Sequence, residues 1–451
     1  MPVSQPLSTR TLAAYSAPSL VLSVLTMALV VYIPPYYATE VHLELAGVGL
    51  VFLIARTWDA AIDTLIGFLS DATRTRWGPR KPWLLLGAPA LIISTYFLFH
   101  PEPGATTRYL LLWLFVYYVA WSAVQIPYLS WGAELSADYS ERSRVVAYRE
   151  GTMFMGVLLA TALPVVVFRG REPSLRDILH LFAVGTALAL PVCLLAAWRY
   201  VPVGSSLQTT REPPKDALAA LARNRLFLRL ICACFFLWLG LHVYNASVLL
   251  VIEYALKLPK SDFLRLVFIQ FAVGLLATPC IIRTASSIGK HRTLALAGAG
   301  VSVVLPCLLL VPGGKFLPAA LVFAVLGIVV SPIWVLPTAL VADAVDFGRL
   351  KGGGEQTGLY MAIFNFAVKL ALALSVGIAL PLMQALGFDP AVSAASGRPW
   401  GLIAVGLFLP GLFLLAACGL LWTYPLNRSR HGIVQRWLTR RRPAVLSIAN
   451  N

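Results

Sequence analysis

The sequence predicts an all-α integral membrane protein with twelve transmembrane helices, and two observations support this prediction. The chain has 451 residues, of which 59% are hydrophobic and only 12% are charged, whereas about a quarter of the residues of soluble domains are charged. Apolar stretches of about 20 residues, the length that crosses the hydrocarbon core of a bilayer, recur along the whole chain. The composition therefore excludes a soluble enzyme or a soluble binding domain.

The apolar stretches form two sets of six, separated by a polar segment. The first six helices are predicted over residues 16–37, 45–70, 83–99, 108–135, 147–168 and 179–198. The second six are predicted over residues 230–256, 262–283, 291–312, 316–342, 355–386 and 400–424. The predicted domains are thus an N-terminal six-helix half (1–198), a polar and proline-containing cytoplasmic linker (199–229), a C-terminal six-helix half (230–426) and a basic cytoplasmic tail (427–451).

A short basic loop follows the second predicted helix of each half. Its sequence is Gly78-Pro79-Arg80-Lys81 in the first half and Gly289-Lys290-His291-Arg292 in the second. This weak internal repeat predicts two pseudo-symmetric halves. Such repeats are typical of transporters whose binding site lies near the bilayer midplane.

The formal net charge is +16, and the placement of the basic residues argues against a nucleic-acid partner. Most of the 36 Lys and Arg residues fall in loops and tails on one side of the membrane when the N-terminus is placed inside. This asymmetry is the positive-inside pattern. It predicts a multi-pass protein of the cell (inner) membrane with both termini in the cytoplasm and the lipid bilayer as its surroundings.

The second predicted helix carries charges within a stretch apolar enough to cross the bilayer. Asp59 and Asp63 are four residues apart and share one helix face, and Arg56 lies one turn before Asp59. A charged side chain at the helix centre costs at least about 2.5–3.5 kcal/mol on insertion scales. We therefore predict a cation or proton site that faces the protein interior. The alternative is a structural Arg56–Asp59 pair with Asp63 in a wet vestibule.

Three ordered blocks of sequence connect this helix with later parts of the chain. They run from Trp58-Asp59 to Arg80-Lys81-Pro82-Trp83, from Ile126-Pro127-Tyr128 to Tyr148-Arg149, and from Ala342-Asp343 to Lys369. In these blocks the chain resembles the glycoside-pentoside-hexuronide:cation symporters of the major facilitator superfamily. The resemblance covers nearly the whole chain. It implies the fold of that superfamily and the cation-coupled symport, by alternating access, of a small organic solute such as a glycoside or a sugar acid.

The resemblance also implies which residues bind the coupling cation. Asp59, Asp63 and Ser122 would bind H⁺ or Na⁺, without another cofactor or metal, and Lys369 and Arg56 would balance the aspartate charge. A lysine within a span needs a counter-charge, although snorkelling to the interface is the alternative for Lys369. The sodium-binding members of the family carry asparagine directly before the second aspartate, where this chain has Ile62. Because Na⁺ requires several oxygen ligands, H⁺ is favoured over Na⁺.

A solute site is expected in the central cavity. The resemblance assigns Arg149 and Trp334 to it, whereas Ser23, Gln125 and Leu129 stand where sugar-binding members have two carboxylates and a tryptophan. The predicted solute-binding residues are Arg149, Gln125, Trp334, His242, Asn245 and Asn365, with buried hydrogen bonding to a neighbouring helix as the alternative for His242 and Asn245. The missing sugar ligands leave a lysophospholipid or other amphiphile as the alternative solute. A non-transporting membrane sensor is the alternative of another class, and no enzyme motif is found.

Charged residues near the predicted inner ends of the helices suggest a cytoplasmic gate. The candidates are Asp71, Arg80, Glu134, Arg142, Asp343 and Asp346. They are expected to pair across the two halves and to close the inner end while the site faces outside, with hydrated loop ends as the alternative. The protein is expected to be monomeric, with the solute, the cation and the bilayer as its partners.

Overall fold

The computed structural model describes residues 7–136, 139–203, 224–350, 357–390 and 399–425. All regular elements within these ranges are helical, and twelve helices among them are long and apolar enough to cross a membrane. The predicted fold class is thereby confirmed.

Each half contributes six of these helices. The first half contains α1 (Thr9–Thr39), α2 (Leu45–Ala72), α3 (Lys81–Phe99), α4 (Thr107–Glu134), α5 (Tyr139–Val167) and α6 (Leu175–Tyr200). The second half contains α7 (Arg225–Ala255), α8 (Lys260–Ile288), α9 (Lys290–Leu310), α10 (Phe316–Leu350), α11 (Thr357–Ala385) and α12 (Trp400–Trp422).

Two helices begin earlier than their apolar stretches predict, because polar residues cap them. The side chain of Ser8 accepts a hydrogen bond from the backbone N–H of Thr11 at 3.1 Å, so α1 begins at Thr9 rather than near residue 16. Ser174 and Asp177 form a reciprocal capping box at the start of α6. Hydropathy locates the part of a helix that lies in the membrane, whereas caps determine where the helix starts.

Contacts group the chain into two compact units. Unit 1 consists of Met1–Thr209, Asn245–Phe268 and Val376–Ile403, and unit 2 consists of Thr210–Tyr244, Ile269–Ser375 and Ala404–Asn451. Unit 1 therefore includes α1 to α6 together with the α7–α8 connection and the end of α11. The domain boundaries at residues 198, 229 and 426 stay a prediction.

Within unit 1, α1 packs against α5 and α6, and α4 packs against α2 and α3. The helices α1 and α5 approach each other closely at Gly156, where an added Cβ would overlap the Leu20 carbonyl oxygen and the Ser23 hydroxyl. Ser23 donates its own hydroxyl to that carbonyl at 2.9 Å. The Ser23 position, where the resemblance implied a sugar ligand, thus lies in the α1–α5 interface.

Within unit 2, α9 packs against α10 and α12. The helices α8 and α10 meet at Gly274 and Gly327, and a Cβ on Gly327 would overlap the carbonyl oxygen of Gln270. Ser331 of α10 donates to the Gly274 carbonyl at 3.1 Å. Glycine is required at position 327 because the two backbones are nearly in contact there.

Candidate functional site

The two aspartates of α2 lie beside α4. Ser122 of α4 donates its hydroxyl to Oδ1 of Asp63 at 2.6 Å. Asp59 lies one turn earlier on α2 and is only 2% exposed, while Asp63 is half-buried. The structure thus brings together two of the three predicted cation ligands directly, and the helical pitch places the third on the same face of α2.

Arg56 lies between Asp59 and an aromatic ring. Its Nη1 is 3.6 Å from Oδ2 of Asp59, and the side chains of the two residues are 11% and 3% exposed. The guanidinium carbon lies 4.8 Å from the ring centroid of Tyr118 on α4, within the range of a cation–π interaction. Tyr118 is not among the residues predicted from the sequence, although its position four residues before Ser122 places both side chains on one face of α4.

Ile62, the residue directly before Asp63, packs among apolar side chains. Ile62 is 7% exposed and forms a buried cluster with Ile66 and Ala123, against which Trp83 and Ile126 pack. Its side chain supplies no oxygen ligand. This environment is consistent with the prediction of H⁺ over Na⁺, which stays a prediction.

Arg149, on α5, lies beside a pair of tyrosines that link α1 to α4. The rings of Tyr15 and Tyr128 stack with centroids 4.9 Å apart. Their hydroxyls donate to each other's backbone carbonyl oxygens at 3.2 and 2.8 Å. The guanidinium of Arg149 is close to the Tyr15 hydroxyl and forms an ion pair with Glu150. The tyrosine pair positions Arg149, and neither Tyr15 nor Glu150 was singled out from the sequence.

Gln125 of α4 contains a buried polar atom without a partner. Its Oε1 accepts no hydrogen bond from the residues that the structure describes. An acceptor in that condition costs about 1–3 kcal/mol. A hydroxyl or amine of a bound solute would remove this cost, which makes Gln125 suitable for solute binding.

Three aromatic side chains form a cluster in unit 2. The ring centroid of Trp238 lies 5.5 Å from that of His242 and 5.0 Å from that of Trp334 on α10. The indole Nε1 of Trp238 is buried and donates no hydrogen bond within the described part of the chain. Trp238 thus joins the two residues that were predicted. Trp238 lies four residues before His242, and this helical spacing is the sequence signal that places the two side chains on one face of α7.

Three further predicted residues lie outside this cluster. Asn245 is half-buried on α7 and belongs to unit 1. Lys369 is half-buried on α11 in unit 2, and Asn365, one turn earlier, is exposed. The roles assigned to these residues stay predictions.

The basic residue after α2 is held by residues at the ends of α2 and α4. Arg80 forms ion pairs with Asp71 at 2.7 Å and with Glu134 at 2.6 Å, and donates to the Ser70 hydroxyl at 2.5 Å. Burial disfavours the charged guanidinium, but the hydrogen bonds with Glu134 and Asp71 outweigh burial and raise the pKa of Arg80. Arg80, Asp71 and Glu134 form an inner clamp in the N-terminal half, in which Arg80 and Glu134 are mostly buried and the Asp71 side chain is 47% exposed.

The C-terminal half repeats this pairing. Lys290, the first residue of α9, contacts both carboxylate oxygens of Asp343 on α10 at 2.8 and 2.7 Å. In both halves, therefore, the basic residue after the second helix pairs with a carboxylate on the fourth helix of the same half. The sequence predicts pairing across the halves, whereas these pairs lie within one half each. The gate role of these residues stays a prediction. The side chains of Arg142 and Asp346 lie outside the described residues.

A second polar network in unit 1 was not anticipated. The carboxylate of Glu40, after the end of α1, accepts hydrogen bonds from the first backbone N–H groups of α6, at Leu175 (2.8 Å) and Arg176 (3.2 Å). It also accepts one from the ammonium of Lys260 at 3.1 Å. Nearby on the same side, Gln384 of α11 donates to Glu44 at 2.7 Å. These contacts tie the start of α8 and the end of α11 into unit 1.

The fold and these contacts define a class of protein: a twelve-helix membrane protein of the major facilitator superfamily. A family model described as MFS/sugar transport protein matches residues 14–428. The chain belongs to this family. The resemblance to the glycoside-pentoside-hexuronide:cation symporters is therefore confirmed.

Several curated relatives are similar over most of their length. The chain is 28% identical to an isoprimeverose transporter of Lactiplantibacillus pentosus over 79% of this chain and 76% of the relative. It is 25% identical to the glucuronide carrier protein homolog of Escherichia coli K12 over 94% of each chain. It is 22% identical to the sodium-dependent lysophosphatidylcholine symporter 1 of Xenopus tropicalis, over 88% of this chain and 82% of the relative. The family and these relatives are transporters.

Solved structures support the fold alone. A bacterial homolog of the human lysosomal transporter Spinster superposes with a TM-score of 0.64 at 12% identity, covering 93% of this chain and 98% of that chain. The D-xylose-proton symporter gives a TM-score of 0.61 at 15% identity, covering 93% and 96%.

Proposed function

We propose that this protein is a secondary active transporter that carries a small organic solute together with a cation by alternating access. The observation that supports this most is the buried group on α2 and α4, in which Ser122 bonds to Asp63 one turn from the buried Asp59. Charged carboxylates are costly within a membrane and are found there mainly on ion and proton pathways. The relatives named as symporters point in the same direction.

The coupling cation binds at Asp59, Asp63 and Ser122, and we favour H⁺ over Na⁺. Two carboxylates one turn apart repel each other unless a bound cation neutralises them. Arg56, 3.6 Å from Asp59, balances part of the negative charge of the pair. Lys369 balances the remaining charge when the cation has left.

The solute is a glycoside, a sugar acid or a related metabolite. In unit 1, Arg149 offers a guanidinium and Gln125 an unsatisfied acceptor. In unit 2, Trp334 and His242, joined by Trp238, offer aromatic faces and an indole N–H. Asn245 and Asn365 complete the set. A solute rich in hydroxyl groups has the donors and acceptors that such groups need.

The remaining features of the proposal follow from charge and composition. The protein lies in the cell (inner) membrane as a monomer with both termini in the cytoplasm, and its only cofactor is the coupling ion. It is not an enzyme. Asp71, Arg80, Glu134, Arg142, Asp343 and Asp346 form the cytoplasmic gate.

The test is solute-dependent alkalinisation outside proteoliposomes that contain the purified protein. Glycosides, uronates and lysolipids are screened with and without Na⁺, beside the variants Asp63→Asn and Asp59→Cys. We expect a solute-triggered proton signal in the wild type and its loss in both variants. Solute uptake that requires Na⁺ and gives no proton signal would replace H⁺ with Na⁺ as the coupling ion. Concentrative uptake by Asp59→Cys would contradict the assignment of the cation site.

An amphiphile is the second candidate solute. The relatives include lysophosphatidylcholine symporters, and Leu129 and Ser23 stand where sugar-binding members have polar or stacking groups. The same screen separates the two candidates, because a signal that appears only with lysolipids supports the amphiphile. Tight binding of a solute without any transport would instead indicate a sensor.

A further inference from the structure

A groove runs along the surface of unit 1 between α3 and α6, with α4 at its floor. It has a volume of about 290 Å³ and is lined by leucine, isoleucine, alanine, proline and tryptophan side chains. Leu85 and Leu195, on its two walls, are 52% and 65% exposed, whereas Trp131 on its floor is 1% exposed. The groove is therefore open sideways along helices that cross the membrane, so its natural contents are apolar chains of the bilayer.

Aromatic rings and cations gather at one end of the groove. Trp198 lines the groove, and Trp77 meets it edge to face with centroids 5.6 Å apart. The Arg76 guanidinium lies 4.6 Å from the Trp77 ring, and the Lys81 ammonium lies 5.5 Å from the Trp198 ring. Arg199 follows Trp198 and is exposed. We call Arg76, Lys81 and Arg199 the basic rim.

The members of the basic rim differ in what they can bind. Lys81 is 8% exposed and already donates to the carbonyl oxygens of Trp198 and Val201 at 3.0 and 3.1 Å. It holds the loop after α2 against the end of α6. Arg76 and Arg199 are exposed. Each guanidinium lies beside an aromatic ring, Arg76 beside Trp77 and Arg199 beside Tyr200 at 5.6 Å, and is exposed enough to meet an anion at this end of α6.

We propose that the groove binds one phospholipid with an anionic headgroup. An acyl chain lies between Leu85 and Leu195 over Trp131, and the phosphate is held by Arg76 and Arg199. Tryptophan is enriched at the headgroup level of membrane proteins, and basic residues there attract anionic lipids. Both features occur at the same end of one apolar groove. This binding is separate from the solute site and does not depend on the coupling ion.

The other side of α3 provides a comparison. A second apolar groove, of about 480 Å³, is lined by residues that include Leu86, Val116 and Val119, and its polar end is Thr73. The Thr73 hydroxyl accepts a hydrogen bond from the Trp83 indole at 2.9 Å. The groove next to the basic rim is the smaller one, so charge rather than size is the basis for the expected selectivity.

Native mass spectrometry of the purified protein, with equimolar palmitoyl-oleoyl phosphatidylglycerol and phosphatidylcholine, tests the proposal. We expect one phosphatidylglycerol to be retained in preference to phosphatidylcholine. Leu195→Trp, which fills the groove, should abolish that preference. Arg76→Gln and Arg199→Gln should each weaken phosphatidylglycerol retention about fivefold, the factor that corresponds to ~1 kcal/mol per basic residue.

Matched controls are Leu86→Trp, which fills the second groove, and Arg108→Gln, at the opposite end of α4; both should retain the lipid as the wild type does. The five residues that are replaced in these variants are all exposed. The thermal midpoint of each variant would verify that it folds. Equal retention of both lipids by the wild type would overturn the proposal. An equal loss of phosphatidylglycerol retention in Leu86→Trp and Leu195→Trp would also overturn it. So would a change of oligomeric mass in Leu195→Trp with unaltered lipid retention, because the groove would then be a contact between protein copies.

Discussion

Ser122 donates its hydroxyl to Asp63 across 2.6 Å, and this hydrogen bond is the direct link between α4 and the carboxylates of α2. A hydroxyl bound to a carboxylate stabilises the ionised form and also fixes the rotamer of the acid. The bond therefore holds the Asp63 carboxylate in a fixed position beside α4.

Replacing Ser122 with alanine should impair coupling. Hydrogen bonds to charged groups contribute about 1.5–3 kcal/mol, so we expect roughly a 10- to 100-fold change in the apparent cation affinity, while Ser122→Thr keeps most of it. The measurement is the cation dependence of solute uptake in proteoliposomes. Ser94→Ala is the control, because that hydroxyl donates only to a carbonyl of its own helix, that of Leu91. Equal effects in Ser94→Ala and Ser122→Ala would contradict the assignment.

Removing the charge of Arg80 should destabilise the protein more than removing that of Lys290. The Arg80 side chain is 10% exposed and that of Glu134 is 12% exposed, whereas the Lys290 side chain is 38% exposed. Arg80→Gln should cost about 3–5 kcal/mol because it leaves two carboxylates without their cation. Lys290→Gln should cost closer to ~1 kcal/mol. Unfolding in mixed micelles measures both, and a larger cost at Lys290 would refute the comparison.

Gly156→Ala should destabilise the contact of α1 with α5. The new methyl group would overlap the Leu20 carbonyl and the Ser23 hydroxyl, and overpacking of this kind costs about 1–3 kcal/mol. Gly151, on the same helix, has no neighbouring atom within 4 Å of its would-be Cβ. Gly151→Ala should therefore stabilise the protein by about 0.5–1 kcal/mol, because alanine favours the helix. Thermal unfolding of the two variants should shift in opposite directions.

His100, just after α3, should make stability depend on pH. Burial, together with the neighbouring His180 and Arg176, lowers its pKa from 6.5, against the effect of the Tyr96 carbonyl. At pH values between the folded-state pKa of His100 and 6.5, the unfolded chain binds more protons than the folded protein. The stability that the neutral His100 contributes is therefore complete above pH 6.5 and is lost as the pH falls.

The structure gives a second reason for that loss. His100 Nε2 and His180 Nδ1 lie 2.7 Å apart, so one must donate and the other accept. Protonation of both rings abolishes this hydrogen bond. The thermal midpoint of the wild type should fall more steeply between pH 7 and pH 5 than that of His100→Gln, about in line with one titrating group. Parallel curves would show that His100 does not contribute.

Hydropathy predicted the helices because an unpaired backbone N–H or C=O group is costly in lipid, and an α-helix pairs these groups within one segment. The cost of placing charge in lipid singled out Arg56, Asp59 and Asp63, and the structure places them together at the face of α4. Tyr118 and Trp238 were within reach of the sequence, since each lies four residues before a predicted site residue on the same helix. A search of positions four residues before each predicted site residue would have identified both.

Other contacts were not predictable from patterns. Glu40 and Lys260 are 220 residues apart, and no periodicity connects them. Opposite charges at the inner helix ends show that pairs form but not which pairs, so Glu134 and Asp343 were expected to meet partners in the other half. The short connections after α2 and α8 determine the pairing, because they bring Arg80 and Lys290 to a carboxylate within the same half.

The local character of the inner clamp bears on how the chain is made. Ser70, Asp71, Arg80 and Glu134 all lie between the end of α2 and the end of α4, so all four residues are available to one another once α4 has emerged from the ribosome. Lys290 and Asp343 are similarly close in sequence. Because a buried cation is costly until it is neutralised, each set of helices can neutralise its own basic loop during cotranslational insertion. The first six helices can therefore enter the bilayer with their inner charges paired before the second six are inserted.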